Sequence, residues 1–234
     1  MMTFAEFQEL VNLSMEALCR DFFRENPDRV RVKKEATVVR NLVKILDATL
    51  MISNQKGFQA MSVRDLSRET GLSMGALYSY ISGKEELLAI IRAQGYRIVV
   101  RILTGAIAEV SDPHEKLCQA IQTHLYLSEA MRAWFYFSYM ETKNLSKEEQ
   151  KKSIQMELFT EKLFIDILSA GCRAGRFRPL NVELTAAAIK ALLQDWYLKP
   201  WKHQRRKVTI EEYARFVTGL VEAYVLPFPA AASP

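Results

Sequence analysis

Three features of this sequence predict an all-α fold. Apolar residues recur three and four apart along almost the whole chain, helix-capping signatures precede most of those runs, and only Arg29-Val-Arg-Val-Lys33 alternates as a strand would. One short, isolated strand forms no sheet. The 234 residues suffice to bury a core without disulfides or structural metals. A chain with 49% hydrophobic and 25% charged residues is not collagen-like, mucin-like or disordered. No apolar run approaches the roughly 18–20 residues of a membrane span, so no membrane partner is expected. The opening MMTFAEFQEL lacks a basic start followed by an apolar block, and Cys19, Cys118 and Cys172 form no CxxC. A cytoplasmic protein with reduced thiols is the expectation.

Phe4, Phe7, Val11, Met15, Leu18 and Phe22 place an amphipathic helix over 3–25, which Asn26-Pro27-Asp28 breaks. Val39, Leu42, Leu46 and Leu50 mark a second, with Gly57 as its C-cap. Ser62-Val-Arg-Asp65 has capping-box form, a side-chain oxygen satisfying an orphan amide while Asp65 faces the positive helix end. That short helix stops at Gly71, and another runs from Ser73 to about Ile81. Ser82-Gly-Lys-Glu85 caps a long helix reaching about Val110. Asp112-Pro-His-Glu115 sets Pro at the first helical position behind a capping carboxylate. Ser146-Lys-Glu-Glu149 and Thr209-Ile-Glu-Glu212 repeat the capping pattern, and between them Asn181 opens a helix to about Trp201. Tyr213, Phe216, Val217, Leu220, Val221 and Tyr224 give the last helix a broad apolar stripe.

Charge is concentrated. The whole net excess of +5 lies between Asp28 and Arg97, where twelve Lys/Arg stand against seven Asp/Glu; the remainder holds twenty of each sign. Such a field attracts phosphates, although a solvated basic face has the same composition. Within this stretch, residues 62–81, SVRDLSRETGLSMGALYSYI, have helix-turn-helix spacing. Val63 and Leu66 point inward, Gly71 permits a left-handed turn, and Leu72, Leu77 and Ile81 pack the second helix across the first. Ser73 to Tyr80 then face outward, where a major groove can receive them. A generic helical hairpin shares this spacing.

Gly57-Phe58, Ser62-Val63-Arg64-Asp65-Leu66, Gly71-Leu72-Ser73, Gly75-Ala76-Leu77-Tyr78, Tyr80 and Lys84-Glu85-Glu86-Leu87 follow one another without a gap between about Val38 and Leu88. Together they resemble the DNA-binding domain of the tetracycline-repressor (TetR) family. The resemblance implies an all-helical, homodimeric transcriptional regulator, usually a repressor, bound to a palindromic double-stranded operator. In the family a small molecule held by the C-terminal domain alters DNA affinity. The implied organisation is an N-terminal helical extension and basic linker over 1–33, a helix-turn-helix DNA-binding domain over 34–84, a helical ligand-binding and dimerisation domain over 85–226, and a tail over 227–234. Six helices are expected after the DNA-binding unit, the last two pairing with their mates in a four-helix dimer interface.

Arg64 matches a position from which some family members reach a guanine edge, and Tyr78 and Lys84 match phosphate-contacting positions. Ser62 can present a helix N-terminus to phosphate. Family members often carry Lys or Arg, and Thr, where this chain has Met74 and Ala76, so apolar contact with thymine methyls is the direct readout left there. Ser79 stands where the family often has His. Arg64, Ser73 and Met74 are thus expected to read bases, and Ser62, Tyr78, Tyr80 and Lys84 to position the duplex, with Gly75, Ala76 and Ser79 on the same interface. Packing is the other role open to Met74 and Tyr80. Arg29, Arg31, Lys33 and Lys34 form either a basic arm along DNA or a solvated linker.

Residues 126–201 hold half the aromatic side chains and all three tryptophans. A packed core accounts for most of them; an effector pocket would be lined by Trp134, Phe137, Tyr139 and Trp196. Arg173, Arg176 and Arg178, then Lys199, Lys202, Arg205, Arg206 and Lys207, are either exposed loops or complements to an anionic head. Glu141-Thr-Lys-Asn-Leu145 and the segment from Trp201 to Tyr213 are similar to family members associated with lipid metabolism. A small hydrophobic or amphipathic effector, such as a fatty acyl-CoA, is therefore expected. No GxSxG, HExxH, GxGxxG or phosphate-loop motif occurs, and His114, His124 and His203 are far apart in sequence. No catalytic residue, metal or cofactor is expected. The alternative class is a helical lipid-binding carrier or enzyme with an incidental basic surface.

Overall fold

The computed structural model describes residues 2–11, 15–25, 34–145 and 147–227, and every regular element among them is helical. Where one helix was expected over 3–25 there are two, α1 (Phe4–Val11) and α2 (Met15–Glu25). Arg29, Arg31 and Lys33, the strand-like run they belong to, the Ser146 cap and the tail beyond 227 lie outside the described residues. α3 (Glu35–Lys56) starts after Lys34 and buries Val38, Val39, Leu42, Ile45, Leu46 and Leu50. It ends where the sequence predicts: Gly57, at φ +86°, returns its amide to the Ser53 carbonyl at 2.8 Å.

α4 (Val63–Thr70) opens on the complete Ser62–Asp65 capping box and stops at Gly71, whose φ of +70° is left-handed. α5 (Met74–Leu77) is shorter than the stretch expected to Ile81. Beyond it the amides of Ser79 and Tyr80 reach back three residues, to the carbonyls of Ala76 (3.1 Å) and Leu77 (2.9 Å), tightening the helix into turns. α6 (Lys84–Ile107) follows, with Glu86 rather than Glu85 accepting from the Ser82 amide and hydroxyl, both at 2.7 Å.

α7 (Pro113–Ala130) begins on its proline, with Asp112 Oδ2 accepting the Glu115 amide at 3.1 Å. Met131, at φ −113° and ψ 30°, leaves helical geometry, so α8 (Arg132–Glu141) starts afresh before a 3-10 turn, Thr142–Asn144. α9 (Lys147–Arg173) is the longest helix. Asn181 caps α10 (Val182–Leu198), its side chain accepting the Leu184 amide at 3.0 Å. The helix expected to reach Trp201 instead breaks at Lys199 (φ −126°, ψ 50°), because the residue before a proline is pushed out of helical geometry. α11 (Pro200–Arg205) starts there, and α12 (Ile210–Val225) opens on the Thr209–Glu212 capping box. Seven α-helices thus follow α5 among the described residues, one more than expected. None is long and apolar enough to cross a membrane.

Two compact units result. One comprises Gln8–Val99 and Met131–Ser153, the other Met1–Phe7, Val100–Ala130 and Ile154–Pro234. α2, α3, α4, α5 and α8 belong to the first, while α7, α10, α11 and α12 belong to the second; α1, α6 and α9 give residues to both. The first unit thus holds α8 together with the helix-turn-helix.

Candidate nucleic-acid interface

The α4–α5 pair is supported from behind by apolar side chains and at its ends by hydrogen bonds. Leu66 and Leu77 are buried, as are Phe58, Met61 and Ile81 of the same unit; each such side chain contributes about 1.5–3 kcal/mol. Ser67 Oγ donates to the Leu72 carbonyl at 2.7 Å, and Thr70 Oγ1 accepts the Leu72 amide at 3.2 Å. The turn at Gly71 is thus fixed by side chains of α4 itself. Ser73 caps α5, its Oγ accepting the Ala76 amide at 3.2 Å.

At the start of α4, Asp65 Oδ2 accepts from the Ser62 hydroxyl (2.7 Å) and amide (2.9 Å), and Lys56 Nζ donates to the same oxygen at 2.9 Å. Those Ser62 hydrogen bonds, then Lys56, hold the Asp65 carboxyl well below the usual carboxylate range. Ser62, Arg64, Ser73, Gly75 and Tyr78 are exposed, with Met74, Ala76 and Ser79 half-buried alongside. Arg64 makes no ion pair among the described residues. Tyr78 leaves 48% of its surface open.

Two expected contact residues are placed differently. Tyr80 is buried, and its hydroxyl accepts from Asn41 Nδ2 at 2.8 Å. Residue 80 follows the buried Leu77 by three, which sets it on the inward side of this segment, away from the exposed Gly75 and Tyr78. Lys84 Nζ donates to the carbonyls of Gln59 (2.9 Å) and Met61 (3.5 Å) and lies 5.5 Å from the Phe58 ring centre. Its ammonium braces the loop between α3 and α4.

α8 closes the back of this unit. Glu141 Oε1 accepts the Phe58 amide at 3.0 Å, and the Phe58 and Phe137 rings meet edge to face at 6.0 Å. Trp134 Nε1 donates to the Ile91 carbonyl at 3.0 Å, and its ring fills the space over Gly95, where an added Cβ would meet it at 1.9 Å. Of the four aromatics expected to line an effector pocket, Trp134 and Phe137 are thus packed behind the helix-turn-helix, and Tyr139 is 50% exposed. Trp196 belongs to the other unit, buried, with Nε1 donating to Glu129 at 2.7 Å.

The interior of that second unit contains a cation that sequence patterning did not single out. Lys190, 3% exposed, donates to Thr160 Oγ1 at 2.7 Å and lies 3.4 Å from Glu157 and 3.5 Å from His124 Nε2. Burial lowers its pKa; burial, then the Lys190 charge, holds His124 well below the ordinary imidazole value. His203 is buried against Trp196 and Tyr213, 3.0 Å from Asp195. Of the predicted cation clusters, Arg176 pairs with Asp112, Lys199 and Lys202 pair with Asp195, and Arg178 lies over Tyr224. Arg173, Arg205, Arg206 and Lys207 are exposed. On α12, Phe216, Leu220 and Tyr224, four residues apart, stand out from one face.

A further cluster joins α7 to α12. His114 Nε2 lies 2.6 Å from Glu222 Oε1, and Cys118 Sγ lies 3.4 Å from that oxygen and 3.7 Å from the imidazole nitrogen. The four-residue spacing of His114 and Cys118 is visible in the sequence. Glu222, more than a hundred residues away, enters only through helix packing.

Two family profiles match the chain: residues 45–91 fit bacterial regulatory proteins of the tetR family, and residues 110–223 a tetracyclin repressor-like C-terminal domain. The chain is 24% identical over 182 residues to the HTH-type transcriptional regulator HbdR of Aromatoleum sp. (strain CIB), with 77% of this chain and 79% of that protein covered. A solved structure of the TetR family transcriptional regulator PfmR from Thermus thermophilus is 30% identical, with a TM-score of 0.68, and the match covers 77% of this chain and 97% of that one. The fold is also that of AibR, solved in complex with isovaleryl coenzyme A and operator DNA, at 19% identity and a TM-score of 0.68, covering 81% of this chain and 100% of that one.

Proposed function

Because the chain belongs to the tetR family of bacterial transcriptional regulators, we propose that it is a repressor released from a palindromic operator by a small amphipathic effector. The observation that carries this reading is the outward face of α4 and α5, where Ser62, Arg64, Ser73 and Tyr78 stand exposed around a capped, rigidly backed helix. Arg64 and Ser73, with Met74, read base edges; Ser62 and Tyr78, with Gly75, Ala76 and Ser79 beside them, set the duplex in register. Tyr80 and Lys84 act one step back, holding the helix to α3 and the α3–α4 loop to α6.

Two copies pair through α10 and α12, whose exposed Leu184, Phe216, Leu220 and Tyr224 would otherwise face water. An acyl-CoA is the proposed effector class, supported by the isovaleryl coenzyme A in AibR. Of the four aromatics expected to line its site, Tyr139 stands half-exposed, while Trp134, Phe137 and Trp196 are buried, each within its own unit. Effector binding favours a separation of the two recognition helices that no longer matches successive major grooves, about 34–36 Å apart.

Selection from a random duplex pool, followed by fluorescence anisotropy on the selected sequence, tests this reading. Enrichment of a palindrome, with binding that weakens steeply as salt rises and falls on adding isovaleryl- or stearoyl-CoA, is expected. Arg64→Ala is expected to lose about 1–3 kcal/mol of discrimination at one base position. Failure to enrich any duplex would overturn the proposal, and unchanged base preference in Arg64→Ala would overturn the role given to that residue.

A further inference from the structure

We infer that His114, Cys118 and Glu222 form a binding site for a thiophilic divalent cation of the zinc class, linking α7 to α12. Zinc favours just these donors, with bonds of about 2.3 Å to sulfur, 2.0–2.1 Å to imidazole nitrogen and 2.0–2.2 Å to carboxylate oxygen. Tetrahedral angles then place sulfur about 3.6 Å from both other donors, and nitrogen about 3.4 Å from oxygen. The observed Cys118–His114 and Cys118–Glu222 separations are 3.7 and 3.4 Å, already near those values. Only the 2.6 Å His114–Glu222 contact must open, by roughly 0.8 Å on the same geometry, within the freedom of a half-exposed Glu side chain.

Two of the donors are fixed by helix geometry, since residues four apart share a face of α7. All three are partly accessible, so a cation can enter, and three protein ligands leave one tetrahedral position for water. The neighbouring carboxylate is already engaged: Asp112 pairs with Arg176 at 2.9 Å and accepts the Glu115 amide at 3.1 Å. Binding replaces the Cys118 S–H bond with a sulfur–metal bond and releases that proton to solvent; no electron is transferred. Because α12 carries the exposed Phe216–Leu220–Tyr224 face, the cation would fix that helix against α7.

The test uses the full-length protein, stripped with EDTA and kept reduced, titrated with cobalt(II) chloride. A thiolate-to-cobalt charge-transfer band saturating at one equivalent per chain, displaced by zinc, is expected. Cys118→Ser should abolish the band, and His114→Gln and Glu222→Gln should each weaken zinc binding at least about tenfold, the smaller loss found when even a ligand's supporting partner is removed. Zinc should also raise the melting temperature of the unaltered protein and not of these variants. Absence of the band in the unaltered protein would overturn the site, leaving a hydrogen-bonded trio. Persistence of the band in Cys118→Ser would assign the metal to Cys19 or Cys172 and overturn it equally. Should Cys118→Ser fail to fold, unchanged zinc affinity in both His114→Gln and Glu222→Gln would do the same.

Discussion

Around α4 and α5 most polar side chains meet their partners within five residues: Ser62 with Asp65, Ser67 and Thr70 with Leu72, Ser73 and Ser79 with Ala76. Inside the other unit, Lys190 is satisfied by Thr160 and His124, thirty and sixty-six residues away, and Trp196 by Glu129 across sixty-seven. Local pairing gives a surface its shape while leaving outward groups such as Arg64 available to a ligand. Distant pairing places a charge where desolvation penalises it unless every partner is in position. The first arrangement suits a fixed contact surface; the second makes an interior sensitive to displacement of any one helix.

The largest expected effect comes where the locally built surface depends on a distant support. Trp134→Ala should lower stability by about 3–5 kcal/mol, measured by urea denaturation; a loss under about 1 kcal/mol would mean that α8 adds little behind the helix-turn-helix. The second unit has its own close approach, since a Cβ on Gly171 would meet the Phe177 ring at 2.0 Å. Gly171→Ala is accordingly expected to cost about 1–3 kcal/mol, read the same way.

Acidification separates the two regions next. His124 is held neutral in the fold while the unfolded chain takes up a proton as pH falls below the ordinary value of 6.5. The unfolded state then binds more protons, so stability falls from pH 7 to 5, by at most about 2 kcal/mol for this group. His124→Gln should flatten that part of the slope; an unchanged slope would place the titration elsewhere. Asp65, ionised throughout this window, contributes nothing to it. The smallest effect is local: Ser62→Ala should cost about 1 kcal/mol, and a loss several-fold larger would show that the α4 cap is coupled to the rest of its unit.

What was legible in the sequence follows the same division. Ser62–Asp65, Thr209–Glu212, Asn181, Pro113, Gly57 and Gly71 all act where they were expected, because each signal and its target lie within a turn of one another. Tyr80 packs inward, three residues after the buried Leu77, and its hydroxyl meets Asn41, a partner thirty-nine residues away that no local pattern announces. Lys84, the first residue of α6, is half-buried, its ammonium donating to carbonyls of a loop more than twenty residues upstream. Lys190 and Glu222 carried no signal of their own, an isolated Lys or Glu on a helix ordinarily being solvated. The helix-turn-helix was legible almost in full, and the residues that support it from α8 were not.

The hydrogen bond from the Phe58 amide to Glu141 has a consequence for any attempt to build chimeras. A recognition head cut out at the end of α6 and spliced to a foreign sensor would arrive without the carboxylate and the Phe137 ring that cover Phe58. Interchange between relatives should therefore succeed only when the transplanted cassette brings its own α8, making the smallest portable part of this protein discontinuous in the gene.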